Sequence, residues 1–111
     1  MSKDVRDAKR ERLLSNLGLC VRAGKVVFGV PMICEAMRKG GASSPRVVFE
    51  ASDTSENTSK KLSDKCEFYG VKRIKIDCDC ETLARSLGKT GALAAVALTD
   101  ENMFGMVEKY I

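Results

Sequence analysis

A chain of 111 residues that is 44% apolar and 31% charged, with 5% aromatics and no Trp, has material for one aliphatic core and too much of it for a disordered polymer. The formal net charge of +4 leans toward acidic partners such as phosphate backbones, and the absence of His excludes Ser-His and Cys-His nucleophile pairs and an imidazole-bound catalytic zinc. Five Cys, an odd number, do not suit a closed disulfide framework; the charged opening segment (residues 1–12) and the lack of any apolar run near the ~20 residues that span a bilayer lead us to expect a cytoplasmic protein with free thiols and no membrane partner.

In chain order, residues 4–23 read as a helix, with Leu13, Leu14, Leu17 and Val21 on one face and Gly24 as its stop. Residues 25–28 are a short β-like run. Pro31 fits the first turn of a second helix, where its missing N–H costs nothing. Ile33, Ala36 and Met37 make the inner face of that helix, and Gly40-Gly41 ends it. Residues 46–51 after Pro45 form a clear strand. Capping residues follow: Asp53 with Glu56 has capping-box spacing, and Ser55 is an equal candidate N-cap.

The third helix runs to Tyr69, with Leu62, Cys66 and Tyr69 inward and Lys60, Lys61 and Lys65 on a solvated outer face. Residues 73–77 alternate as a strand with one wet face, and residues 80–87 form a short helix. The unbroken apolar run 92–98 suits a central strand covered on both sides. Thr99-Asp100 caps a last helix with Met103, Val107 and Ile111 inward. Strands alternating with helices give an α/β/α sandwich of about four strands, some parallel, in one domain spanning residues 1–111.

Little in the chain points to catalysis. Cys78-Asp79-Cys80 has C-x-C spacing with no second ligand pair, so no metal is expected. Asp53, Glu56, Asp77 and Asp79 sit near element ends, where capping explains them. There is no phosphate-loop motif and no nucleophile–base pair, so we expect no enzyme activity, no cofactor and no small-molecule substrate.

Three blocks, LGLCVRAGKVVFGV (17–30), RVVFEASDTSENTSKKLSDKCEFYGV (46–71) and ALAAVALTDENMFGMVEKYI (92–111), resemble the kink-turn RNA-binding ribosomal-protein family. Archaeal L-seven-Ae and eukaryotic L-thirty-e typify it, and the likeness is to its small bacterial branch. The resemblance implies a three-layer α/β/α sandwich on a four-stranded mixed sheet. It also implies a non-catalytic role in translation, binding ribosomal or other structured RNA, with ribosomal or translation proteins as further partners.

In that family the N-terminus of the second helix enters a bent RNA, and the loop before the last core strand flanks it. The family motif Gly-x-Asn-Glu-x-x-Lys falls here on Gly29, Val30, Pro31, Met32, Ile33, Cys34 and Glu35, with only the Gly kept. Pro31 lacks the base-reading amide, Met32 is apolar, and Glu35 would repel phosphate. The flanking loop is Lys89-Thr90-Gly91, where archaeal relatives carry apolar residues. The implied interface is therefore Lys25, Gly29, Val30, Pro31, Met32, Glu35, Arg85, Lys89, Thr90 and Gly91. A basic rim of Arg22, Lys25, Arg38, Lys39, Arg46, Arg85 and Lys89 would surround it. The departures from the motif leave a second reading open, a protein-interaction module seated on Val30 and Met32.

Overall fold

A computed structural model describes residues 5–111. The elements follow as α1 (Val5–Arg22), β1 (Val26–Phe28), α2 (Val30–Lys39), β2 (Val47–Glu50), α3 (Glu56–Tyr69), β3 (Lys72–Lys75), α4 (Cys80–Ser86), β4 (Ala95–Leu98) and α5 (Glu101–Glu108). Residue 4, assigned to the first helix from sequence, lies outside the described residues. The strands form one mixed sheet in the order β1-β4-β2-β3. β4 runs antiparallel to β1 and β2, and β3 is parallel to β2.

Strand alternation divides the interior into two layers. On one side Val47, Phe49, Val96 and Leu98 pack against Leu13, Leu14 and Leu17 of α1, Leu83 and Leu87 of α4 and Val107 of α5. On the other, Val48, Ala95 and Ala97 pack against Val30, Ile33 and Met37 of α2 and Leu62 and Cys66 of α3. Phe49, Leu17, Ile33 and Leu62 are fully buried. Each such side chain stabilises the fold by about 1.5–3 kcal/mol through burial. The result is the three-layer α/β/α sandwich expected from sequence.

The sheet has two ends with different occupants. Val26, Leu98, Val47 and Lys72 stand in one row across it, and Phe28, Val96, Phe49 and Ile74 in another. Beyond the second row start α2, α3 and α4, and there lies the loop before β4. Beyond the first row lie Lys25, Arg46 and the ends of α2 and α3.

Several elements differ from expectation. The apolar run 92–98 is a strand only over Ala95–Leu98. Leu93 is still buried, but its N–H bonds Cys80 O at 3.0 Å rather than a sheet partner, and Ala92 is exposed. Ile76 lies one residue past β3, yet its N–H bonds Glu50 O at 2.9 Å and its side chain is buried. Tyr69, expected inward, is 37% exposed. Gly70 turns the chain in the left-handed conformation (φ 69°, ψ 31°). Val71 N–H then bonds Cys66 O at 2.8 Å and its side chain packs inward in place of Tyr69. Ile111, also expected inward, is 41% exposed because α5 ends at Glu108 and Tyr110 packs against the core instead. Ser55 caps α3 by accepting from Thr58 N. Asp53 serves α4, accepting from Cys80 N at 2.8 Å.

Candidate nucleic-acid interface

At the C-terminal end of β1, Gly29 has φ 82° and ψ 148°, a region that disfavours any side chain. Its N–H bonds Ala95 O at 3.0 Å, and its carbonyl accepts from Ile33 N at 2.9 Å, so the residue joins the sheet to the first turn of α2. Among the described residues no side chain caps this helix. Pro31 has no N–H, so the donors left at this end are the amides of Val30 and Met32. They carry the partial positive charge of the helix N-terminus, which favours an anion. Val30 is buried and holds the turn in place, whereas Pro31 is exposed and Met32 is 61% exposed.

Glu35, one turn further on, forks onto Arg38 through both carboxylate oxygens. The Arg38 hydrogen bond holds the Glu35 carboxyl below its ordinary value. The repulsion expected of Glu35 is therefore answered on the same helix by a guanidinium three residues away. The charge pair stays on the surface, with side-chain exposures of 64% for Arg38 and 41% for Glu35.

The loop after α4 approaches β1 from the opposite face of the sheet. Arg85, Lys89, Thr90 and Gly91 line one open cleft of about 500 Å³ together with Glu81 and Ala92. Lys89 is fixed at both ends. Its N–H bonds Ala84 O at 2.8 Å, and its ammonium lies 4.2 Å from the centre of the Phe28 ring. Phe28 immediately precedes Gly29, so this contact ties the loop to the start of α2. Met32 and Glu35 line a second cleft of about 420 Å³ beside Val27 and Lys39. Edge strand β1 stands between the two clefts.

Lys25 stands at the other end of β1, about 10 Å away along a three-residue strand. The basic rim is divided in the same way. Arg85 and Lys89 flank the start of α2, whereas Arg22, Arg38, Lys39 and Arg46 gather at the far end of the sheet with Lys25. Phe28 and Glu81 were missed from sequence. The alternation of Val26, Val27 and Phe28 puts Phe28 on the α4 face, but nothing local to it announces Lys89.

The carboxylates around the start of α4 are occupied in capping it. Asp79 caps α4 by accepting from Thr82 N at 2.7 Å, and that bond holds its carboxyl below the ordinary range. The Cys80 thiol and N–H do the same for Asp53. Burial, with Asp53 beside it, pushes Cys80 up to about 11, and burial likewise pushes Cys66 up to about 11. These thiols are poor nucleophiles at neutral pH. Among the described residues no group of three His, Cys, Asp or Glu side chains could hold a metal ion, and no helix is long and apolar enough to cross a membrane.

Known proteins share this architecture. The family model for the ribosomal protein L7Ae/L30e/S12e/Gadd45 family matches residues 11–106. The chain is 40% identical over 85 residues to the RNA-binding protein YlxQ of Bacillus subtilis (strain 168), covering 77% of this chain and 80% of that protein. It is 32% identical over 85 residues to the RNA-binding protein YlxQ of Enterococcus faecium, covering 77% and 79%. A solved structure of a protein of unknown function from Bacillus halodurans C superposes with a TM-score of 0.77 at 26% identity, covering 89% of this chain and 95% of that one. The matched region runs from within α1 to within α5 and takes in every strand, so the chain belongs to the ribosomal protein L7Ae/L30e/S12e/Gadd45 family.

Proposed function

We propose that this protein is a non-catalytic binder of structured RNA, associated with the ribosome, that docks through the β1 edge. The observation that carries the reading is the Lys89–Phe28 contact, which holds a cationic loop beside the uncapped start of α2. Phosphates would sit on Arg85, Lys89 and the Val30 and Met32 amides, with the Thr90 hydroxyl as a further donor, and Gly91 would let a backbone approach closely. Lys25 would reach the same RNA further along the edge strand. The names of the two YlxQ relatives agree with RNA as the partner class. Pro31, Met32 and Glu35 cannot supply the amide, carboxylate and ammonium that grip a kink-turn elsewhere in the family. Recognition would therefore rest on shape and backbone rather than on bases, and no cofactor is required.

A second reading rests on Met32, which is 61% exposed beside a cleft lined in part by Val27 and Ala36. A protein segment could seat there. Affinity capture from a cell lysate with and without ribonuclease separates the two. The RNA reading requires ribosomal or other structured RNA in the eluate and loss of ribosomal proteins after ribonuclease. A partner retained after ribonuclease and released by Met32→Ala would favour the protein module.

A further inference from the structure

Helix α3 carries a line of side chains that the interior does not use. Asn57, Lys61, Lys65 and Phe68 recur at spacings of four, four and three along its outer face, and all four are exposed. Phe68 is 80% exposed, an unusual cost for an aromatic ring on a helix. Its ring meets that of Tyr69 edge-on, with centroids 4.9 Å apart and planes at 79°. Neither Lys61 nor Lys65 has an acidic partner among the described residues. The acid between them, Asp64, is drawn aside to Lys60 at 3.3 Å.

We propose that this face of α3 binds an unpaired stretch of RNA, with one base stacked on Phe68 and adjoining phosphates on Lys65 and Lys61. The inference takes its partner class from the RNA-binding reading above but uses a different surface. Along the helix axis Lys61 and Lys65 are about 6 Å apart and Lys65 and Phe68 about 4.5 Å, so two cations and a ring follow one another in a line. A positive track beside an aromatic platform is the arrangement that holds single strands, because every base has a face to stack and every nucleotide a phosphate. A duplex keeps its bases stacked on each other and has none to offer Phe68. A protein partner fits less well, because lysine is depleted from protein–protein interfaces.

The chain has no Trp, so Phe68→Trp supplies one fluorophore at the proposed stack. Short oligo(A) and oligo(U) strands and a kink-turn RNA without unpaired flanks are titrated separately. Quenching of the introduced indole by the single strands is expected. Phe68→Ala should lose about tenfold in affinity for them, and Lys61→Ala with Lys65→Ala should flatten their salt dependence. Because Phe68 is so exposed, its truncation leaves the fold intact, which circular dichroism checks. Loss of kink-turn binding in an Arg85→Ala, Lys89→Ala variant with single-strand binding retained would support two separate surfaces. Failure of the wild-type chain to bind either oligonucleotide overturns the proposal, as do unquenched indole emission or unchanged binding by Phe68→Ala. Release of a protein by Phe68→Ala from a ribonuclease-treated capture, with no loss of RNA from the untreated one, also overturns it.

Discussion

Arg73 on edge strand β3 donates to the carboxylate of Glu50, which is completely buried on the neighbouring strand β2. Their register places both side chains on the α3 face, Arg73 opposite Val48 and Glu50 opposite Lys75. Among the described residues the second carboxylate oxygen has no hydrogen-bond partner, and the Lys75 ammonium lies 3.8 Å from it. Removing one partner of a buried pair strands the other charge, whereas replacing both by apolar groups is often neutral. Arg73→Leu should therefore destabilise the fold by about 3 kcal/mol, with Lys75 limiting the loss. Adding Glu50→Leu should recover most of it. Urea denaturation of the two variants checks this, and a double variant no more stable than the single one would contradict it.

The start of α2 makes a prediction about kink-turn affinity. Pro31→Asn, Met32→Glu and Glu35→Lys together restore the family's three side chains. Glu35→Lys alone also breaks the Arg38 pair and adds positive charge, so it is the proper control. The triple variant should bind a kink-turn RNA more tightly than Glu35→Lys does, by about tenfold, since hydrogen bonds to charged groups contribute about 1.5–3 kcal/mol. Anisotropy titration measures both. Equal affinities would mean that this edge does not read a kink-turn.

Acid should weaken the start of α4 through two carboxylates. Hydrogen bonds from Thr82 N to Asp79 and from Cys80 to Asp53 hold both below their ordinary values. Such groups contribute stability in full above the unfolded value of about 3.9 and lose it as pH falls through the folded value. Thermal melts should therefore drop below about pH 4. Asp79→Asn with Asp53→Asn, which keeps cap-competent side chains, should flatten that fall. An unchanged acid limb in the double variant would show that other groups set it.

The layers were legible in sequence because burial repeats at the period of each element. Leu13, Leu14 and Leu17 mark α1, and the run around Val96 marks a central strand covered on both faces. Misreadings fell where a chain turn breaks the period, at Tyr69 before Gly70 and at Ile111 after α5. Buried Glu50 was not singled out because the residue that answers it, Arg73, is 23 positions away and is placed only by the parallel pairing of β2 with β3. The same holds for Lys89 and Phe28. The family likeness could name the two segments, but only the strand order brings them together.

The central claim is that Arg85 and Lys89 at the β1 edge hold RNA phosphates. It is tested most directly by measuring kink-turn RNA affinity across a salt series for the wild-type chain and an Arg85→Ala, Lys89→Ala variant. Removing one cation from a phosphate should reduce the slope of log affinity against log salt by about one. The variant should therefore bind more weakly, with a slope shallower by about two. Equal affinity and an unchanged slope would contradict the claim and move the RNA, if it binds at all, to another face.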